Sequence, residues 1–187
     1  MAFLTEVELT KLGFSGLGSN VLISNKASIY NPANISIGSN VRIDDFCVLS
    51  AGVGGIEIGS NIHIAVFSSI IGVGRVTLSD FCNISSRVSI YSSNDDYSGT
   101  SMTNPTIPDE YKNVTVADVY IGRHVIIGSG SVILPGVMIG HGSAVGALSL
   151  VNKDCEENKI YSGVPAKYLK EREKDFLKLE KEFLNKK

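Results

Sequence analysis

The chain has 187 residues, 43% hydrophobic and 19% charged, and a formal net charge of −2 at pH 7. This size and apolar content predict a single globular domain, and the lack of a basic surplus argues against nucleic acid as a partner. Glu6 and Glu8 stand where a secretory signal would need apolar residues, and no apolar run reaches membrane-spanning length. We therefore expect a cytoplasmic protein without a membrane span.

The cysteines are Cys47, Cys82 and Cys155, an odd number with wide spacing and no paired motif. This pattern favours neither a disulfide framework nor a structural zinc site. We expect reduced cysteines and no metal requirement.

Residues 1–16 include the segment TEVELTKLGF and are predicted to form an N-terminal cap with a short helix. Aliphatic residues then recur at every sixth position. They are Leu17, Ile23 and Ile29; Ile37, Ile43 and Leu49; Ile58, Ile64 and Ile70; Leu78, Ile84 and Ile90; Ile121, Ile127, Ile133, Ile139, Val145 and Val151. A period of six fits neither a helix nor an ordinary strand, but it fits a prism with one short strand and one turn on each face. We predict an all-β solenoid over residues 17–164, a left-handed parallel β-helix of about six coils.

Extra residues interrupt this rhythm only between groups of three hexads. The insertions follow the hexads of Ile29, Leu49, Ile70 and Ile90, and the last of them is by far the longest. A solenoid tolerates insertions where they can loop outward without disturbing the stack. All four are therefore predicted to leave at the same corner, and the longest forms an extended loop over residues 97–116.

Beyond Pro165 the pattern changes, and Leu169, Phe176, Leu179 and Phe183 fall at helical spacing among charged residues. This pattern predicts an amphipathic helix over residues 165–187. We expect it to lie on the last coil and cover the open end of the stack.

The run IGRHVIIGSGSVILPGVMIGHGSAVGALSLVNKDCEENKIYSGVPAKYL resembles the C-terminal signature of the hexapeptide-repeat acyltransferases, in the branch of the galactoside and maltose O-acetyltransferases. The resemblance covers nearly the whole chain. It implies acetyl-CoA as co-substrate and a homotrimer of parallel prisms, with each active site between two subunits.

The same resemblance assigns cofactor-binding residues by position. Ser129 and Ala147 match places where the coil lines the pantetheine arm of CoA. Asn152, Lys153 and Lys167 match positions that reach the nucleotide end, where ammonium groups suit phosphates. For the two lysines, an ordinary surface role is the alternative.

Acyl transfer to an acceptor needs a group that takes the acceptor's proton. In galactoside acetyltransferases a histidine at the start of the long loop does this, and the present sequence has Asp95 there. An unperturbed aspartate, with a pKa of about 3.9 against about 6.5 for histidine, is a poor base toward an alcohol. Either burial and the neighbouring Asp96 raise the pKa of Asp95, or another base exists.

His63 is our preferred base, because it precedes Ile64 at an outward-facing strand position. It lies on a different face from Asp95, so the two would meet only across a subunit interface, with the aspartate orienting the imidazole. A plain surface histidine is the alternative. His124 and His141 are expected at prism corners, where polar residues are routine.

Tyr91, Asp96 and Tyr97 are predicted to contact a sugar acceptor at the start of the long loop. We expect an acetyltransferase that moves acetyl from acetyl-CoA to a sugar hydroxyl, in bacterial surface polysaccharide biosynthesis. One alternative is N-acetylation of a nucleotide-linked amino sugar, since a free amine is more nucleophilic. Another is a non-catalytic β-helix that serves as a binding module.

Overall fold

A computed structural model describes residues 2–186. Its parallel strands form three sheets, which are the three faces of a triangular prism, and the chain passes through face 1, face 2 and face 3 in turn. The prediction of a parallel β-helix of about six coils is confirmed. Met1 and Lys187, the outer ends of the predicted cap and C-terminal helix, lie outside the described residues.

The strands of each face are short and run in parallel register. Face 1 contains Gly16–Leu17, Ile35–Ile37, Ile56–Ile58, Val76–Leu78, Val119–Ile121 and Met138–Ile139. Face 2 contains Val21–Ile23, Val41–Ile43, Ile62–Ile64, Asn83–Ile84, Ile126–Ile127, Ala144–Val145 and Lys159–Ser162, with Lys167–Glu171 added antiparallel at its edge. Face 3 contains Ser28–Tyr30, Val48–Ala51, Ser69–Gly72, Ser89–Tyr91, Val132–Ile133 and Leu150–Val151.

The aliphatic residues of the six-residue repeat point inward and stack directly on one another. On face 2, for example, Ile43, Ile64, Ile84 and Ile127 are register partners on successive coils, and each is fully buried. Burial of apolar surface contributes about 25 cal/mol per Å², so inward columns such as this one stabilise the fold. Cys82 also lies in the core, where burial raises the pKa of its thiol to about 12, so it acts as packing rather than as a nucleophile.

The four insertions all leave at the corner between face 3 and face 1, as predicted. The longest spans residues 92–118. Its base is an antiparallel pair, Ser93–Asn94 with Thr115–Val116, and a 3-10 turn covers Asp109–Tyr111. A shorter insertion contains the 3-10 turn Pro32–Asn34.

The N-terminal helix, α1, spans Glu6–Leu12 and begins with a capping box between Thr5 and Glu8. Its Leu9 is buried and joins the core at the first coil. The helix therefore covers apolar surface at this end of the stack.

The prediction of a single helix after Pro165 is wrong for the first part of that segment. Lys167–Glu171 is a strand that pairs antiparallel with Lys159–Ser162, and the helix α2 spans only Phe176–Leu184. The last strand of face 2 would otherwise expose unpaired backbone N–H and C=O groups, and the returning strand pairs them. Pairing with an open sheet edge outweighs the helical spacing of Leu169, which is exposed.

Helix α2 also lies elsewhere than predicted, along the corner between faces 1 and 2 rather than over the last coil. Nε2 of His124 lies 2.7 Å from Oε2 of Glu180, and Arg123 also binds this carboxylate. The His124 ring stacks on Phe81 and contacts Phe176. Between residues 2 and 186, neither helix has the length and apolar character to cross a membrane.

Coil stacking leaves no room at some corner glycines. A Cβ added to Gly38 would lie 2.7 Å from the backbone of Gly59 and 2.6 Å from Oγ of Ser60. We expect Gly38→Ala to lower the free energy of unfolding by about 1–3 kcal/mol through overpacking. Gly16→Ala is the matched control, because its Cβ would meet only Cβ of Ser36 at 3.5 Å. Chemical denaturation of both variants tests this, and equal losses would contradict it.

The docking of α2 should depend on Glu180. The pKa of Glu180 is lowered, and the hydrogen bond from Arg123 is the first cause. The Glu180 carboxylate therefore stabilises the docked helix above its unfolded-state pKa, and this contribution is lost as the pH falls through the folded-state pKa. We expect Glu180→Gln to weaken docking by roughly 1.5–3 kcal/mol at neutral pH. Amide exchange over residues 176–184, corrected for intrinsic rates, measures this, with exposed Glu182→Gln as the control. Equal protection in both variants at pH 7 would contradict it.

Candidate functional site

An open cleft of about 590 Å³ lies where the long loop leaves face 3. It brings together Tyr91, Asp95 and Tyr97, three of the residues predicted for the site. The full lining is Tyr91, Ser93, Asn94, Asp95, Tyr97, Val132, Leu134 and Leu150. The assignment of Asp95 to the chemistry and of the two tyrosines to the acceptor stays a prediction.

The two sides of this cleft differ in chemistry. Val132 and Leu150 project outward from neighbouring strands of face 3 and form an apolar wall with Leu134. The opposite side is polar, and Nδ2 of Asn94 donates to the carbonyl of Asp95 at 3.0 Å. Since the pairing of Ser93–Asn94 with Thr115–Val116 anchors this segment, half-buried Asp95 sits on an ordered part of the loop.

Asp96 does not line the cleft. Its carboxylate accepts hydrogen bonds from the backbone N–H groups of Ser98, Thr100 and Ser101, and from the hydroxyls of Thr100 and Ser101. These bonds, led by those from Ser98, hold the pKa of Asp96 well below its usual range. This carboxylate therefore stabilises the first turn of the loop, and its predicted contact with the sugar stays a prediction.

His63 projects from the outward side of face 2 and is bound within its own chain. Its Nε2 lies 2.9 Å from Oδ2 of Asp44, and Oδ1 of Asp44 accepts from Nε of Arg42 at 2.7 Å. Asp44 is only 4% exposed. Burial alone would raise the pKa of Asp44, but the hydrogen bonds from His63 and Arg42 outweigh it, and the pKa is lowered.

His63 and Asp95 lie on different faces of the subunit, so the predicted pairing across an interface stays a prediction. The carboxylate that orients His63 here is Asp44, which the sequence reasoning missed. The sequence did contain a signal that Arg42 and His63 lie side by side. Each precedes an inward isoleucine of the repeat, and the two are register partners on successive coils.

The other two histidines make structural contacts. His124 binds Glu180, while Nδ1 of His141 accepts from the backbone N–H of Arg123 at 2.9 Å. Among residues 2–186, no group of three or more histidine, cysteine, aspartate or glutamate side chains could hold a metal ion.

The residues predicted to bind CoA are all exposed and occupy separate edges of the prism. Ser129 and Ala147 are neighbours on successive coils at the corner between faces 2 and 3, where the N–H of Leu148 donates to the carbonyl of Ser129. Lys167 starts the antiparallel edge strand of face 2.

Asn152 and Lys153 follow the strand Leu150–Val151 and lie at the opposite edge of face 3. Within one chain they are therefore not grouped with Ser129 and Ala147. Their roles toward CoA remain predictions.

Comparison with known proteins identifies the family. A model of the bacterial transferase hexapeptide (six repeats) matches residues 112–153. The chain is 59% identical over 183 residues to the dTDP-4-amino-4,6-dideoxy-D-glucose acyltransferase of Escherichia coli, covering 98% of this chain and 95% of that protein. A galactoside O-acetyltransferase of Escherichia coli is 28% identical, over 80% of this chain and 70% of the relative.

Solved structures of AntD, an N-acyltransferase from Bacillus cereus, are also similar. A variant in complex with dTDP-4-amino-4,6-dideoxyglucose and coenzyme A is 48% identical, covers 99% of this chain and 98% of AntD, and has a TM-score of 0.95. AntD with dTDP and 3-hydroxybutyryl-CoA is 49% identical, at 98% and 97% coverage, with a TM-score of 0.95. The chain therefore belongs to the hexapeptide-repeat acyltransferases, and the predicted class of enzyme, an acyl-CoA-dependent acyltransferase, is confirmed.

Proposed function

We propose that the enzyme transfers an acyl group from acyl-CoA to the amino group of a nucleotide-linked sugar, dTDP-4-amino-4,6-dideoxyglucose. The observation that carries this proposal is the cleft, whose described lining has one carboxylate and no imidazole. A free amine needs only a modest proton acceptor, whereas a hydroxyl needs a stronger base. The similarity to two proteins named for this amino sugar or solved with it supports the amine alternative over the sugar hydroxyl expected first.

In the proposed reaction the neutral amine attacks the thioester carbonyl carbon, and a tetrahedral intermediate forms. Asp95 accepts the proton that leaves the nitrogen, the C–S bond breaks, and the CoA sulfur receives a proton. The products are an amide and free CoA. Tyr91 and Tyr97, on the same cleft, contact the sugar ring.

We further propose a homotrimer in which face 2 of one subunit closes the cleft on face 3 of the next. The cleft is open on a single chain, and closure would exclude water from the reacting thioester. In this arrangement His63, on face 2, lies at the same interface as the cleft of the neighbouring subunit, but the proposed proton transfer uses Asp95 alone. The trimer also places Ser129, Ala147, Asn152, Lys153 and Lys167 along the grooves where acyl-CoA would bind.

The acyl group is proposed to be acetyl or another short chain, with Val132, Leu134 and Leu150 as its apolar contact. Both substrates carry several phosphates, which favours a cytoplasmic reaction. The nucleotide-linked product is an activated glycosyl donor, and a glycosyl transfer to a surface polysaccharide would consume it.

Asp95 should carry the proton transfer. We expect Asp95→Asn to lower kcat for the amino sugar by roughly 10²–10⁴-fold, because the amide cannot accept the proton. Affinity for CoA, measured by calorimetry, should be unchanged. Asp109→Asn is the control, since this aspartate lies in the same loop with a fully exposed side chain. A kcat within about twofold of the parent enzyme would remove Asp95 from the mechanism.

The acceptor class can be tested with a matched pair of sugars. The dTDP-linked 4-amino sugar and its 4-hydroxy analogue differ at the reacting atom alone, and release of free CoA reports transfer to either. We expect a higher kcat/KM for the amine by about two orders of magnitude or more, because the alcohol lacks a matched base. Faster transfer to the hydroxyl sugar would restore the O-acetyltransferase interpretation. Mass spectrometry of the product checks that the acyl group is amide-linked.

A further inference from the structure

The outward side of face 2 has two chemically different halves. One outward position per strand is connected by direct register pairing from coil to coil. In order, these residues are Leu22, Arg42, His63, Asn83, Ile126, Ala144 and Ile160. Three consecutive members, Arg42, His63 and Asn83, are polar hydrogen-bonding groups, and the three that follow them are apolar.

Arg42 and His63 are linked through the buried Asp44. Arg42 binds it through Nε and His63 through Nε2, so one carboxylate sets the plane of both side chains. The side chains of Arg42 and His63 are 50% and 43% exposed, against 6% for Asp44. Both cation-forming groups are therefore held in a fixed orientation at the surface of the face.

Two further cations lie near this pair. At the adjacent corner between faces 2 and 3, Lys26 lies over the ring of Phe46, and Arg87 lies over the ring of Phe67. Asp45, the other carboxylate at this corner, accepts from Ser24 and is paired with Lys26. With Asp44 and Asp45 counted against Arg42, Lys26 and Arg87, this area keeps a formal surplus of one positive charge on a chain whose net charge is −2.

Such an arrangement suits a diphosphate. A guanidinium is a favourable partner for phosphate oxygens, and the imidazolium form of the adjacent histidine can donate from Nδ1 to phosphate while its Nε2 donates to Asp44. Neighbouring strands lie about 4.8 Å apart, which places the two groups beside two consecutive phosphates. A structural ion pair alone would not require both side chains to remain half exposed.

We propose that Arg42 and His63 form the subsite for the diphosphate of the nucleotide-linked acceptor. This assignment rests on the proposed function, because it requires a nucleotide-linked sugar. The diphosphate then binds on coils 2 and 3, while Ser129 and Ala147 lie on later coils at the next corner. The two substrates enter the groove from opposite ends and meet beside the cleft on face 3.

The test is calorimetric titration of the full-length protein with dTDP. We expect Arg42→Gln and His63→Gln each to weaken dTDP binding about tenfold or more, because each removes a charge-assisted hydrogen bond. The preference for dTDP over dTMP should shrink in both variants, while CoA affinity stays constant. Arg75→Gln is the control, since Arg75 pairs with Glu57 on face 1, away from the subsite.

Thermal unfolding checks that each variant folds, and Arg42→Met and His63→Asn replace any that does not. Parent-like dTDP affinity in the folded variants overturns the subsite and leaves the proposed reaction intact. No dTDP binding by the parent protein overturns the nucleotide-linked acceptor and the subsite with it. Loss of dTDP affinity in the variants supports the subsite whichever acceptor atom is acylated.

Discussion

The direct stacking of each coil on the one below is the constraint on which the rest of this structure depends. Parallel strands pair in register, so equivalent positions on successive coils lie about 4.8 Å apart. Inward positions must then present the same kind of side chain coil after coil, as Ile43, Ile64 and Ile84 do. The same geometry makes the outward side chains into ordered rows, and a binding surface can therefore be built one coil at a time.

The candidate site and the proposed diphosphate subsite follow from two departures from that regular stack. The first is the long insertion after Tyr91, which adds Asp95 and Tyr97 beside an apolar patch of face 3. The second is buried Asp44, a charged side chain where the repeat usually has small or apolar ones, and it orients Arg42 and His63. Both departures use the rigid scaffold to hold polar groups that a flexible loop alone would leave disordered.

The fold could be predicted because the six-residue period is a direct consequence of coil geometry. The position of each insertion in the repeat also shows at which corner of the prism the extra residues leave the coil. The C-terminal segment could not be predicted, because Leu169 has helical spacing but pairs in a strand at an open sheet edge. That edge is visible only in three dimensions. A carboxylate at the start of the loop suits a sugar, and this chemistry is why Asp96 is predicted to contact the acceptor. Sequence spacing does not reveal that Asp96 accepts hydrogen bonds from the backbone of its own turn. The proposed trimer would also bring residues of a second subunit to the acceptor, and spacing within one chain does not identify them.

The insertion corner separates two kinds of evolutionary change. A residue added within a coil would shift the register of every strand after it, whereas residues added between Tyr91 and Val119 leave both flanking strands in place. Under the proposed function, acceptor preference can therefore diverge through the length and composition of residues 92–118 while the scaffold and its stability are inherited unchanged. In this fold, exchanging that one segment between relatives is the most economical route to a new specificity.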